Sequence, residues 1–220
     1  MIAVADRPRI GISACLLGER VRYDGRDKRD AWLVDVFGPD VEWVPVCPEV
    51  EAGFGTPREP MSLVRDANGG VVLKTRWLRP DLTAALRAFA ERRVEELATM
   101  GLDGYVLKAG SPSCAIDTTI NAETAENAEF ADPRFTASSA GSASSALDGV
   151  DQGPGLFAEA LMRRLPDLAI VDEQQLLDPD ARRRFVERVF ARVARVESAD
   201  EQRPAAGDRH PCPGGRARRE

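Results

Sequence analysis

Apolar and polar positions along this chain fall in blocks. PRIGISAC is a short apolar, β-branched run that stops at Cys15, and the polar loop LLGERVRYDGRDK separates it from an amphipathic stretch near Asp30–Phe37. The first block predicts a buried strand and the second a helix. VEWVPVC predicts a second strand stopping at Cys47, the Gly- and Pro-rich EAGFGTPREP predicts loop, and GGVVLKT a strand at a sheet edge. From Asp81, the spacing of Leu82, Leu86, Phe89, Val94 and Leu97 marks one face of a helix, and Gly101 stands just past its end as a stop. DGYVLKAGS predicts another buried strand, leading to Cys114.

Beyond Cys114 the pattern changes. Residues 117–149 are rich in Ala, Ser, Asn, Asp and Glu, too poor in apolar positions to order themselves, and are expected to form a mobile low-complexity insertion. Order returns with GPGLFAEALMRRLPDLAIVDE, which predicts a helix closed by Pro166 and a short strand. Asp178 and Pro179 then form a cap and first turn for a helix whose Phe185, Val186, Val189, Phe190 and Val193 make an apolar stripe, expected to be core packing. Strands alternating with helices predict an α/β fold, a layered sandwich with a mainly parallel sheet in a single domain. Residues 1–8 are expected to be a leader, 9–196 the domain and 197–220 a disordered tail.

Composition narrows the function. With 220 residues and 43% hydrophobic content the chain can build one sizeable core. A formal charge of −6 argues against binding nucleic acid by bulk charge alone. No stretch approaches the roughly 20 apolar residues of a membrane span, and no charged segment precedes an apolar signal core, so a cytoplasmic enzyme with no membrane association is expected. The only histidine, His210, lies in the tail, so Cys-His and Ser-His catalysis have no imidazole in the body of the chain. The cysteines are Cys15, Cys47, Cys114 and Cys212, with no CxxC pair, which removes the zinc ribbon and the thioredoxin-type motif. Cys212 reads as an unpaired tail thiol.

Three of these cysteines follow the C-terminal ends of predicted strands. In an open parallel α/β sheet those ends share one edge, where ligands bind, so thiols separated by 31 and 66 intervening residues are brought within reach of each other. Zinc ordinarily recruits a fourth cysteine or a histidine, and neither is near. Three thiolates suit an iron–sulfur cluster with one open iron, a soft Lewis acid matched to a sulfur-bearing ligand. The alternative stays open at this point: buried free cysteines also serve as small inert hydrophobes.

The blocks SACLLGERVRYDGRDK, VPVCPEVEAGFGTPREPM and LKAGSPSC, followed by GLFAEALM, together resemble the TudS-like thiouracil desulfurase family over roughly residues 9–190. TPREPM and the helix near Phe185–Val196 are closest to the branch fused elsewhere to a second domain that acts on thiolated tRNA. The resemblance implies a 4Fe-4S cluster held by three cysteines, Cys15, Cys47 and Cys114, with one open iron. That iron binds the sulfur of a thiolated pyrimidine, and the C–S bond is cleaved hydrolytically without net redox, giving the oxo-base and sulfide. It further implies that Glu49 and Ser111 handle protons beside the substrate. The partner is then a small-molecule thiolated base or nucleotide, with 4-thiouridine in tRNA as an alternative substrate; a non-catalytic iron–sulfur carrier or sensor is the alternative of a different class. Glu49, two residues past Cys47, reaches the same pocket, and a desolvated carboxyl beside a negative cluster is expected to hold its proton above the ordinary range. Ser113 is expected to be bonded to backbone. Arg22, Tyr23 and Asp24 are candidates for the pocket wall, with an Asp-Gly turn and a salt bridge as the competing explanation. Arg58 is a candidate phosphate contact or a partner for Glu59. Ala115 stands where the family usually has glycine, and the insertion that follows replaces a normally short segment.

Overall fold

The computed structural model describes residues 7–78, 80–122 and 151–201, the last eight as backbone. Residues 202–220 of the expected tail, with His210 and Cys212, most of the leader and residues 123–149 of the expected insertion lie outside the described residues; residues 197–201, expected to begin the disordered tail, instead continue the last helix, Pro179–Glu201.

Four strands, β1 (Arg9–Ser13), β2 (Glu42–Val46), β5 (Gly104–Leu107) and β8 (Ala169–Asp172), form an all-parallel sheet in the order β2-β1-β5-β8. β5 shows why these runs are apolar throughout. Tyr105 and Leu107 enter a core built from α2 (Thr83–Thr99) and α3 (Leu156–Arg164), through Leu86, Phe89, Val94, Phe157 and Leu161. Val106, on the other face, joins Ile10, Ile12, Leu33, Phe37, Phe185 and Val189 in a second core that includes α4 (Pro179–Glu201). A strand covered on both faces has no polar face to alternate with. α4 packs tightly over Gly104, where a Cβ would lie 2.9 Å from Val189.

The expected helix near Asp30–Phe37 is a short π-helical segment, Trp32–Phe37, opened by Asp30, whose Oδ1 accepts the Leu33 N–H at 3.0 Å. A second sheet was not legible from the pattern. β3 (Met61–Arg65), β4 (Val71–Thr75), β6 (Thr118–Ala122) and β7 (Asp151–Gly153) make a mixed sheet in the order β4-β3-β6-β7. β4 is at an edge, as expected. β6 corrects the start of the expected insertion: Thr118–Ala122 pairs in parallel with β3 and antiparallel with β7, and buries Ile120 beside Leu63 and Leu73.

The strand order places the site. From β1 the chain passes to β2 on one side, and β5 lies on the other, so the loops after β1 and β5 diverge and leave a crevice at the strands' C-terminal edge.

Candidate active site

β1 runs into a 3-10 turn, Ala14–Leu17, that holds Cys15. β2 ends one residue before Cys47, which caps the single turn α1 (Pro48–Glu51). Pro48 fixes the first helical φ, and Glu51 reaches back so that its Oε1 accepts the Cys47 N–H at 2.8 Å. After β5 the segment Lys108–Cys114 folds into turns, with Ser111 Oγ accepting the N–H groups of Ser113 (3.3 Å) and Cys114 (3.2 Å). The start of α3 then clamps this loop: Phe157 and Ala158 donate their N–H groups to Ser113 O at 3.0 and 3.1 Å. Gly155 permits the approach, because a Cβ there would lie 2.5 Å from the Ser113 carbonyl. Ala115 is wholly buried, its N–H bonded to Ser111 O and its carbonyl to the Gly155 N–H.

Cys15, Cys47 and Cys114 line one cavity of about 220 Å³, together with Arg22, Tyr23, Glu49, Arg58, Lys108 and Ser111. All three are free thiols. Burial, then the neighbouring Cys47, pushes the Cys15 thiol up to about 11, against lowering by Lys108 and Arg22. Burial raises Cys47 and lifts Cys114 well above its ordinary value, with Glu49 adding to both.

Glu49 is buried and fully engaged. Arg58 Nε donates to Glu49 Oε2 at 2.8 Å and Arg58 Nη2 donates to the same oxygen. Ser113 Oγ donates to Oε1 at 2.5 Å, and Ser111 Oγ lies 3.4 Å from it. The two serines therefore divide the work differently from the expectation. Ser113, wholly buried behind the carboxylate, is its close partner, whereas Ser111 faces the cavity and ties the loop. Arg58 does not pair with Glu59, whose carboxylate instead accepts the N–H groups of Trp77 and Leu78. The carboxyl of Glu49 is thus desolvated but not alone, having a countercharge that the sequence did not reveal.

Of the RYDG candidates, Arg22 and Tyr23 line the cavity. Asp24 is absent from its lining and closes the turn, with Oδ1 accepting the Arg26 N–H at 3.1 Å and lying 3.4 Å from Arg22 Nε. Sequence reasoning missed Lys108 and Glu173. Their half-buried ion pair lies beside Cys15, and Glu173 Oε2 accepts the Ala109 N–H at 2.7 Å, fixing the start of the Cys114 loop.

A model of the 2-thiouracil desulfurase family matches residues 10–173. The chain belongs to the 2-thiouracil desulfurase family. This desulfurase-family chain is also 29% identical over 110 residues to the uncharacterized protein YbbK of Bacillus subtilis (strain 168), a match that covers 47% of this chain and 70% of YbbK. It is similar to the solved structure of the 4Fe-4S-dependent thiouracil desulfidase TudS, with 30% sequence identity and a TM-score of 0.53, covering 78% of this chain and 94% of that one. Family and structural relative together indicate a thiouracil desulfidase activity.

The donor set fits a cluster. It consists of thiols only, shares one cavity, and is desolvated, so releasing the protons is costly unless a cationic centre takes their place. Among the described residues no three His, Cys, Asp or Glu side chains close on a single metal ion. Among the described residues no helix is long and apolar enough to cross a membrane.

Proposed function

We propose that this chain is a non-redox desulfidase that removes sulfur from a thiolated pyrimidine, of the 4-thiouracil or thiouridine type, using a 4Fe-4S cluster held by Cys15, Cys47 and Cys114. The observation that carries the reading is the meeting of three desolvated thiols and one engaged carboxylate in a single cavity.

When bound, the cluster supplies an iron without a protein ligand, a soft Lewis acid for the departing sulfur. The rest is the work of side chains. The overall change is thiolated base plus water to oxo-base plus hydrogen sulfide, so protons must leave the attacking water and reach the sulfur, and no electrons are exchanged. Glu49 Oε2 is occupied by Arg58, which leaves Oε1 as the oxygen that exchanges protons. Ser113 fixes Oε1 from behind, and Ser111, on the cavity side, is placed to pass a proton between that oxygen and the substrate. Arg22 and Tyr23 form the outer wall, where the substituent on the base would lie.

The test is anaerobic reconstitution of the full chain with iron and sulfide, then incubation with 4-thiouracil, 2-thiouracil and thiouridine phosphates. Loss of thione absorbance with release of one sulfide per base is expected on at least one of them. A chain that takes up no cluster, or a loaded chain that leaves every thione intact, overturns the reading.

A further inference from the structure

Lys108 follows β5 directly, at the base of the crevice, and the chemistry above makes no use of it. Its backbone N–H is given to Ser13 Oγ at 3.0 Å, which ties it to the end of β1. Its ammonium donates to Glu173 Oε1 and, at 2.7 Å, to Ala109 O. Glu173, the residue after β8, also accepts the Ala109 N–H on Oε2 at 2.7 Å and gives its own N–H to Leu107 O at 3.3 Å. Lys108 is thus gripped from the strands on either side of β5. A lysine on a surface is a flexible point charge; this one is a fixed donor.

An ammonium has three protons to give. Two are spent, and the third has no acceptor among the described residues, although Lys108 lines the cavity. The other polar side chains there are committed elsewhere or lie further out. Arg58 serves Glu49 and two backbone carbonyls. Ser111 Oγ accepts two loop amides and faces Glu49. Arg22 and Tyr23 form the outer wall, where Tyr23 is 41% exposed. Lys108 is therefore the inner donor held for a ligand. An ammonium accepts no hydrogen bond, so it fits a carbonyl oxygen and repels an amino group. In 2-thiouracil and 4-thiouracil alike, the ring carbonyl stands one nitrogen away from the thione carbon, so one fixed donor serves both.

We propose that Lys108 is a specificity-determining residue that donates its third ammonium proton to the ring carbonyl of the base, so that the site takes thiolated uracils and turns away thiolated rings with an amino group or a hydrogen at that position. The inference rests on the desulfidase reading of the preceding subsection.

The test compares rings that differ only at the carbonyl, as bases or nucleotides according to what the reconstituted wild type accepts: 2-thiouracil against 2-thiocytosine, and 4-thiouracil against pyrimidine-4-thione. The uracil-type ring should be favoured about ten- to a hundredfold in kcat/KM, the worth of one hydrogen bond from a charged donor. Equal rates on the paired rings overturn the proposal without any variant. Lys108→Met combined with Glu173→Gln removes the ammonium without stranding a carboxylate and keeps an acceptor for the Ala109 N–H. It should load its cluster to the wild-type absorbance and lose the preference. A loss by the same factor on both rings of a pair overturns the proposal, because the ion pair then only braces the loop. Lys108→Gln, whose amide still donates to Glu173 and brings an acceptor oxygen, should raise 2-thiocytosine relative to 2-thiouracil. An unchanged ratio in a folded, loaded Lys108→Gln chain counts against the proposal in the same way. A wild-type chain inactive on every thione sinks the preceding reading instead, which separates the two failures.

Discussion

Arg58 and Arg22 line the same cavity and differ in how their donors are spent. Arg58 gives Nε and Nη2 to Glu49 and Nη1 to the carbonyls of Val21 and Gly55, at 3.0 and 2.7 Å. It is 8% exposed and ties α1 to two loops. Arg22 lies 3.4 Å from Asp24, with its guanidinium carbon 5.5 Å from the Tyr23 ring centroid, and its buried Nε has no hydrogen-bond partner among the described residues. One arginine is part of the frame and the other retains capacity for what enters. Charge and proximity to the site do not distinguish them; the count of satisfied donors does.

That contrast can be broken most sharply at the carboxylate itself. Glu49→Gln leaves Arg58 its backbone carbonyls, so the fold and the cluster absorbance should survive while turnover falls about 10²–10⁴-fold, the usual worth of a positioned acid–base group. A variant that keeps full turnover would remove Glu49 from the acid–base role. Arg58→Ala removes the countercharge from a buried carboxylate and should cost about 3–5 kcal/mol in denaturant unfolding, with activity lost alongside. Arg22→Ala should leave unfolding within about 0.5 kcal/mol of wild type and appear chiefly as a higher KM; equal stability losses at the two arginines would erase the distinction.

The smallest effect is on pH dependence. In the folded metal-free chain Cys15 ionises near 11, against 9.0 for an ordinary thiol. Between those values the unfolded chain has released a proton that the folded chain still holds, so stability is present below pH 9 and falls as pH rises towards 11. Arg22 is one of the cations that lower Cys15, so Arg22→Ala should extend this decline slightly to higher pH, measured by thermal melts of the metal-free protein across that range.

What could be foreseen from the sequence follows the same division between frame and free capacity. β1 and β5 were visible because burial on two faces leaves uninterrupted apolar runs, and the cysteines were visible because they follow strand-like runs. MSLVR and TTINA, in the second sheet, mix apolar, hydroxyl and polar residues, so neither shows an uninterrupted apolar run, although the sheet meets the core through Leu63, Leu73 and Ile120. Arg58 and Glu59 are neighbours in the chain, yet the turn sends Glu59 to the Trp77 and Leu78 amides and Arg58 to Glu49. Ser111 and Ser113 flank the same proline. Nothing in spacing alone says that Ser113 lies behind the carboxylate and Ser111 before it.

The pairing of β6 with β7 has a consequence for how this protein can vary. The residues between Ala122 and Asp151 depart and return on adjacent antiparallel strands, whose register sets Ile120 opposite Asp151. The ends of that excursion are stapled whatever its length, and each doubling of a loop adds only about 0.6 kcal/mol of closure entropy. Sequence can therefore be gained or shed there while the thiols keep their mutual placement, which makes this junction the natural port for grafting a tag or a second module.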